Sequence, residues 1–467
     1  MQYPILDVSG TVSYKNIRLS RKATMSHPQS KPSLADRGQS FGMRLITRAG
    51  GLEAMKNPAL RAKVEKVLYR GARQGFRAQV AAGRAFAAKS GSGSPTRTKP
   101  AKPRVQFDLT PNDDQEMIRE AARELADEVL RPAAATADTE RAVPDSVREQ
   151  AAQMGMALLG VPTELGGVAE EASAVTSALV LEELARGDMG LAVAVMSPAA
   201  VANCIVNYGD SDQQATYLPA FTDESSPATG ALALMEPQPL FDPAAPQTTG
   251  RVEGDSIVLD GTKSLVPGAA TSDLFIVSAL IDGVARLVIV PPTTDGVTVS
   301  DNPAMGVRAA HTGTLHLEQV RVPTTNLLGT AADHTDAVSR ARLAWSAAAV
   351  GTAQAVLDQV ATYTKERKAF GEPIAYRQAV AFTVANIAIE LDGLRLVVWR
   401  AASRLDRGLD ASEQIAHARA LTEKHCAQIG SDGVQLLGGH GFVKEFDNER
   451  WFRDLRGAGL MEGALLV

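Results

Sequence analysis

The polar and apolar positions of this chain change rhythm along its length. From Leu109 onward, Ile118, Leu125, Val129 and Leu130 recur at steps that suit one face of an amphipathic helix. Thr110 before Pro111 reads as an N-cap with proline at the first helical position. Further helices are predicted over 147–158, 174–185 and 198–208, the last capped by Ser197, so residues 107–228 read as an all-α block. No uninterrupted apolar run is long enough to cross a bilayer on this reading.

Near Thr229 the rhythm shortens. Residues 230–234, 256–259, 274–277 and 286–290 are short apolar or β-branched runs bounded by Gly, Asp or Pro. Glu253-Gly-Asp and Asp282-Gly read as hairpin turns. A middle β-barrel or sandwich domain is predicted over 229–332. Helical spacing returns over 341–366, 377–407 and 411–437, with breaks at Gly371-Glu-Pro and Leu405-Asp-Arg-Gly408. Long helices with short connections predict an antiparallel, four-helix-type bundle in 333–467. Helices, strands and helices in separate blocks make this an α+β multidomain chain and argue against a βαβ dinucleotide fold.

Charge changes the picture at the N-terminus. Residues 1–106 carry 21 Lys and Arg against 4 Asp and Glu, and the remaining 361 residues carry 27 against 49. A basic arm therefore precedes an acidic body. Residues 60–88 pattern as a basic amphipathic helix, and the Gly/Ser then Pro/Lys stretch 90–104 reads as a linker. The arm suits an anionic membrane surface, an acidic partner, the chain's own acidic body, or an organelle transit peptide. Met25 is a second possible start. Nucleic acid is disfavoured, because the arm lacks interleaved aromatics. Cys204 and Cys426 are the only cysteines, too few for a disulfide framework or a four-thiolate zinc site. That fits a reducing compartment, the cytoplasm or an organelle matrix.

One carboxylate stands out near the C-terminus. Arg450, Arg453, Asp454 and Arg456 form a mostly basic helical turn, Gly457 and Gly459 interrupt it, and Glu462 follows between Met461 and Gly463. Apolar surroundings would raise the pKa of Glu462 and suit a general base; an exposed residue at a frayed end is the plainer alternative. Gly38-Gln-Ser-Phe-Gly42 matches a nucleophile-elbow pattern but follows no strand. The seven histidines show no metal-ligand spacing, and His440 reads as a neutral packing or surface residue.

Four segments in order carry a resemblance. Leu159-Gly-Val-Pro-Thr-Glu-Leu-Gly-Gly167, Lys365-Glu-Arg-Lys-Ala-Phe-Gly-Glu-Pro-Ile374, Asp432-Gly-Val-Gln-Leu-Leu-Gly-Gly-His-Gly-Phe442 and Arg453-Asp-Leu-Arg through Met461-Glu-Gly463 resemble the motifs of acyl-CoA dehydrogenases over about 107–467. The resemblance implies an FAD enzyme that converts an acyl-CoA thioester to a trans-2-enoyl-CoA, passes electrons to an acceptor such as an electron-transfer flavoprotein, and works as a homodimer or homotetramer. It places Glu462 at the α-proton base, with Ala341 where some relatives carry the base instead. It places Arg367 and Phe370 at a neighbouring subunit's FAD and Gln435, Gly438 and Gly439 at the same cofactor's other end. Leu234, Met235, Leu265 and Pro267 fall at the isoalloxazine, and Arg342 and Asp242 at the substrate.

The chain departs from the family pattern on the flavin side. Met235 replaces a threonine, Phe241 a serine, Leu265 a tryptophan and Pro267 a residue that offers a hydroxyl and an N–H; Ala464 replaces another threonine, and Val467 stands where the family has a further helix. These losses motivate a rival reading, a catalytically weak or silent subunit of a heteromer; the basic arm motivates another, a nucleic-acid-associated relative.

Overall fold

The computed structural model describes residues 109–467 except 168, 170–171 and 224–226, together with two short strands near the N-terminus. Those strands, Ile5–Leu6 and Val12–Ser13, pair antiparallel. The basic helix read over 60–88, the linker and the roles considered for the arm lie outside the described residues.

The body opens with α1 (Asp113–Leu125), capped by Asn112, whose side chain and that of Gln115 each accept from the other's backbone N–H. The cap thus sits two residues beyond the expected Thr110, because the Asn112–Gln115 pair satisfies two N–H groups where the Thr110–Pro111 reading offers one acceptor. A π turn (Ala126–Leu130) leads into α2 (Arg131–Glu140), then α3 (Asp145–Gln153) and α4 (Ala174–Gly187). The next helix, α5, runs Met189–Tyr208 straight through Pro198, with Asp188 as its N-cap. Ser197 is therefore inside the helix, not its cap, and its Oγ donates to Gly230 O at 2.8 Å. This helix is long and apolar enough to span a membrane, which corrects the reading of the apolar runs. Most of it, 83%, is buried in the protein's own core, and that burial accounts for its composition. A last helix, α6 (Ser211–Phe221), carries a second capping box at Asp210.

The strands that follow are β1 (Gly230–Ala233), β2 (Thr249–Glu253), β3 (Ser256–Val266), β4 (Leu274–Ile281), β5 (Val284–Val290), β6 (Val297–Asp301), β7 (Gly313–Pro323) and β8 (Leu327–Leu328). They form one sheet ordered β8-β5-β4-β2-β3-β7-β6, with β1 parallel to β4. Both expected hairpins are present: Glu253 pairs with Ser256 and Ile281 with Val284. Side chains alternate as strands require. Ala231, Ala233, Phe275 and Val277 join Leu315 and Val322 in a core of the sheet's own. Leu232, Leu234, Ile276 and Ile289 face the helices, packing with Ile205 and Ala341.

The C-terminal part begins with α7 (Ala331–Glu366), which passes closely over α4. Gly351 permits this passage, since a Cβ there would lie 1.9 Å from Glu182 O of α4. A small hairpin, β9 (Lys368–Ala369) and β10 (Glu372–Pro373), precedes α8 (Gln378–Asp406). Then come α9 (Ser412–Leu421), a π turn (Thr422–Cys426), α10 (Ala427–Leu437) and α11 (Asn448–Ala458). The order helix, sheet, helix is the α+β arrangement expected from the hydrophobic pattern.

Candidate active site

Glu462 lies in the segment after α11 and is only 7% exposed, so it is not a frayed end. Three anchors hold that segment. Trp345 Nε1 of α7 donates to Gly463 O at 2.8 Å, Ala464 N to Leu232 O at 2.9 Å, and Arg340 Nη1 to Val467 O at 3.0 Å. Gly463 is required here: its φ is +74°, and a Cβ would come within 2.7 Å of Leu232 O.

The carboxylate's surroundings correct the expected apolar setting. Its chain neighbours Met461 and Ala464 are buried, but its spatial neighbours are two guanidinium groups. Arg342 Nε donates to both oxygens at 3.0 Å and its Nη2 to Oε1 at 2.9 Å; Arg419 Nη2 adds 3.2 Å to Oε1. Chain neighbours say little about which helices pack over a loop. Arg342 thus meets Glu462 itself, and Arg419 escaped the sequence reading. Its signal was faint: an arginine four residues after Ile415 and beside Ala418, on the edge of the buried stripe of α9.

The residues expected at the isoalloxazine come together at the ends of β1 and β3. Ser264 N donates to Met235 O at 2.9 Å. Beneath them Lys263 Nζ binds Glu236 Oε1 at 2.6 Å and Leu234 O at 3.3 Å, with both charged side chains fully buried. Burial pushes the Lys263 ammonium down to about 8, partly offset by Glu236. Burial alone would raise Glu236, but Lys263 and the Thr248 donors overcome it and leave the carboxyl below its ordinary value. Between Lys263 and Val266 the register with β7 shifts, and Leu265 there has φ +52°, a left-handed conformation that costs a leucine on the order of 1 kcal/mol. Leu265 and Met235 are both half-buried and pack against the same core cluster. Pro267 is buried and, with Gly268, lines a cavity of about 430 Å³ that Ala194, Val195, Ser197 and Pro198 of α5 also line. Asp242 stands apart: it is exposed and its Oδ1 accepts from Ala244 N at 3.0 Å.

A second group gathers at the far end of α7. Arg367, Gln435, Gly438 and Gly439 line one cavity of about 400 Å³, together with Tyr363 and His440. Tyr363 Oη and His440 Nδ1 are 2.8 Å apart and the His440 ring packs on Tyr363 and Phe446, so of the two roles read for His440 it takes packing, in the wall of this cavity. The glycines test whether the cavity fits a bulky anionic group. A Cβ at Gly441 would strike Val434 O at 2.2 Å, so the fold itself needs glycine there, but a Cβ at Gly439 would meet nothing within 4 Å. Glycine at 439 leaves open space beside the Arg367 fork, the arrangement that lets a phosphate approach backbone and guanidinium together. Phe370 lies outside the cavity, 97% exposed, with Arg377 stacked 5.7 Å from its ring centre. Among the described residues no cluster of His, Cys, Asp and Glu could hold a metal ion.

Behind Glu462, α11 is pinned by buried charges. Arg450 Nε binds Asp188 at 2.9 Å, Arg453 binds Asp138 at 2.8 Å, and Asp454 accepts from Val307 N at 2.6 Å. Burial, and then the nearby Asp188 carboxylate, push Asp454 up to about 7. Folding therefore takes up a proton between the unfolded value near 4 and about 7, and the stability this contributes declines as pH rises through that window. Asp454→Asn, which stays neutral and keeps the acceptor for Val307, should flatten the decline. Urea midpoints at pH 5 and pH 8 check it: an Asn variant with the parent's full pH difference would show that Asp454 is not its source.

Comparison with known proteins agrees with this geometry. Residues 112–225, 231–320 and 332–465 match the N-terminal, middle and C-terminal domains of acyl-CoA dehydrogenases. The mitochondrial short-chain specific acyl-CoA dehydrogenase of Bos taurus is 32% identical over 360 residues, 74% of this chain and 86% of that protein. A chain from a structural study of the electron transferring flavoprotein of Acidaminococcus fermentans superposes with TM-score 0.70 at 26% identity, over 76% of this chain and 95% of its own. A Mycobacterium smegmatis glutaryl-CoA dehydrogenase in complex with FADH2 gives 0.68 at 25%, over 75% and 90%. With three domains matched in order and that level of identity to a curated relative, the chain belongs to the acyl-CoA dehydrogenase family of flavin-dependent oxidoreductases.

Proposed function

We propose that this protein dehydrogenates an acyl-CoA thioester between its α- and β-carbons, with Glu462 as the base that removes the α-proton. The observation that carries the reading is the anchoring of Glu462: a buried carboxylate on a segment tied to α7 and β1, beside the strand ends that carry Met235 and Leu265. FAD, when bound, supplies the acceptor for the hydride that leaves the β-carbon. The chain's own residues divide the rest of the work. Arg367, with Gln435, Gly438 and Gly439, would hold the phosphates and adenylate end, and Leu234, Met235, Leu265 and Pro267 would flank the ring system with backbone and apolar surface. At the α-carbon the C–H bond breaks and an O–H bond forms on Glu462, while the backbone N–H of Glu462 polarises the thioester carbonyl.

The two groups of residues point to an oligomer. Arg342 and Arg367 are 25 positions apart, Arg342 within α7 and Arg367 at its C-cap, hence ~38 Å along its axis. One dinucleotide does not reach both, so each cavity serves the cofactor of a neighbouring copy. Apolar surface for that contact is present: Phe382, Ile389 and Leu396 repeat at seven-residue intervals on α8 and are 59%, 69% and 55% exposed, and Phe370 lies just before them in the chain. A homodimer or homotetramer with an electron-transfer flavoprotein as acceptor follows from this reading.

The test is anaerobic addition of butyryl-, octanoyl- and palmitoyl-CoA to the FAD-loaded protein. Loss of the flavin's visible absorbance with release of the matching enoyl-CoA is the expected result. A colourless protein that takes up no FAD, or a flavin that none of the three thioesters bleaches, would overturn it in favour of a silent subunit.

A further inference from the structure

The contacts of Glu462 are unequal. Oε1 accepts from Arg342 Nε and Nη2 and from Arg419 Nη2, whereas Oε2 accepts only from Arg342 Nε. One oxygen is saturated and the other keeps acceptor capacity. Arg419 also ties Glu462 to its own helix, since its Nη1 donates to Ala458 O, the last residue of α11, at 3.1 Å. One planar fork thus spans the three residues, Gly459 to Met461, between the helix and Glu462. The approach is built into the backbone: a Cβ on Gly459 would sit 2.6 Å from the Cα of Glu423, so only glycine lets this turn lie against the π turn that follows Arg419. Arg419 is itself largely buried, and Arg342 beside it is a like charge that the shared carboxylate and, to a smaller extent, Glu423 offset.

We propose that Arg419 is a positioning residue for proton removal: it locks Glu462 Oε1 against the end of α11 and leaves Oε2 as the oxygen that receives the α-proton. The proposal rests on Glu462 being the base. Proton transfer is steep in distance and orientation, so a carboxylate held by Arg342 alone is free to pivot, while substrate affinity, set elsewhere, is hardly touched.

The experiment uses FAD-loaded full-length Arg419→Met, Arg419→Lys and, in parallel, Glu462→Gln. It follows anaerobic flavin reduction by the acyl-CoA that bleaches the parent best, as ordinary and as α-dideuterated substrate, with flavin content and urea midpoint as controls. Arg419→Met should lower the saturating rate by about tenfold to a hundredfold, change the half-saturating concentration less than about threefold, and raise the deuterium isotope effect, because proton removal becomes limiting. Arg419→Lys, with charge but no fork, should fall between Met and parent. Should the Met variant lose FAD or fail to fold, the Lys variant decides by the same measures. A parent-like rate and isotope effect in the deciding variant, with Glu462→Gln inactive, overturns the role of Arg419 alone. Bleaching by Glu462→Gln at the parent rate overturns the base assignment itself.

Discussion

Glu462→Gln should bind FAD and acyl-CoA as the parent does and reduce its flavin about a hundredfold to ten-thousandfold more slowly. The reason lies in how the side chain is held. An amide keeps one oxygen, which can take the Oε1 position and satisfy Arg342 and Arg419 there. Its nitrogen then occupies the Oε2 position, where it offers hydrogens and accepts none. Shape, segment anchors and strand ends persist; what is lost is the carboxylate's charge and the acceptor at the Oε2 position, together with its hydrogen bond from Arg342 Nε. Rapid mixing under anaerobic conditions measures the rate. Glu462→Ala is the less informative change: both substitutions remove the anion that the two guanidinium groups share, but Ala also removes the acceptor at the Oε1 position and leaves a cavity there.

Breaking the buried Lys263–Glu236 pair at the ends of β1 and β3 should have the largest effect on stability. Lys263→Met removes the ammonium from Glu236, whose oxygens then keep only the N–H groups of Gln247 and Thr248 and the Thr248 hydroxyl. An uncompensated charge at a fully buried site costs about 3–5 kcal/mol. Leu234 O also loses its donor. The urea midpoint should fall sharply, and flavin retention with it, since the pair joins the two strand ends that carry Leu234, Met235 and Leu265. Adding Glu236→Leu to Lys263→Met should recover part of the stability, because two apolar groups need no partners. A single mutant as stable as the parent would show that the Glu236 charge is met by another group.

How much of this was readable from the chain depends on distance along it. The change from helical to strand rhythm near Thr229 and back near Thr335 follows from local spacing, and hairpin turns such as Glu253-Gly-Asp announce themselves in two or three residues. Local rules misplaced helix ends: proline at 198 reads as a beginning, but a helix whose Ser197 is buried and whose Pro198 is half-buried continues past it, and the helix read over 147–158 ends at Gln153. The family's motifs singled out Glu462 as the candidate base, but they placed Arg367 and the residues Gln435, Gly438 and Gly439 at different ends of a cofactor, and the meeting of all four in one cavity was not legible in the sequence. The setting of Glu462 could not be read, because Arg342 and Arg419 lie 120 and 43 positions away on different helices. Likewise Lys263 and Glu236 are ordinary charges in a sequence and become a buried tie only when β1 and β3 end side by side.

The π turn Thr422–Cys426 gives the last helices a property that a regular helix lacks. It inserts one extra residue between Arg419 and the face of α10 formed by Ile429, Gly433 and Leu436, all within one continuous helical run from Ser412 to Leu437. In an α-helix each residue advances the side chains by about 100°. The turn therefore sets the phase between two jobs on one rod: upstream, presenting an arginine to a carboxylate; downstream, packing against α7 and α11. A deletion of one residue between Leu421 and Ala427 would take out the extra residue and leave a regular α-helix with both faces near their present phase, whereas an insertion there would rotate one face against the other by about 100°. The segment thus tolerates shortening by one residue better than lengthening, an asymmetry that no single side chain in it reveals.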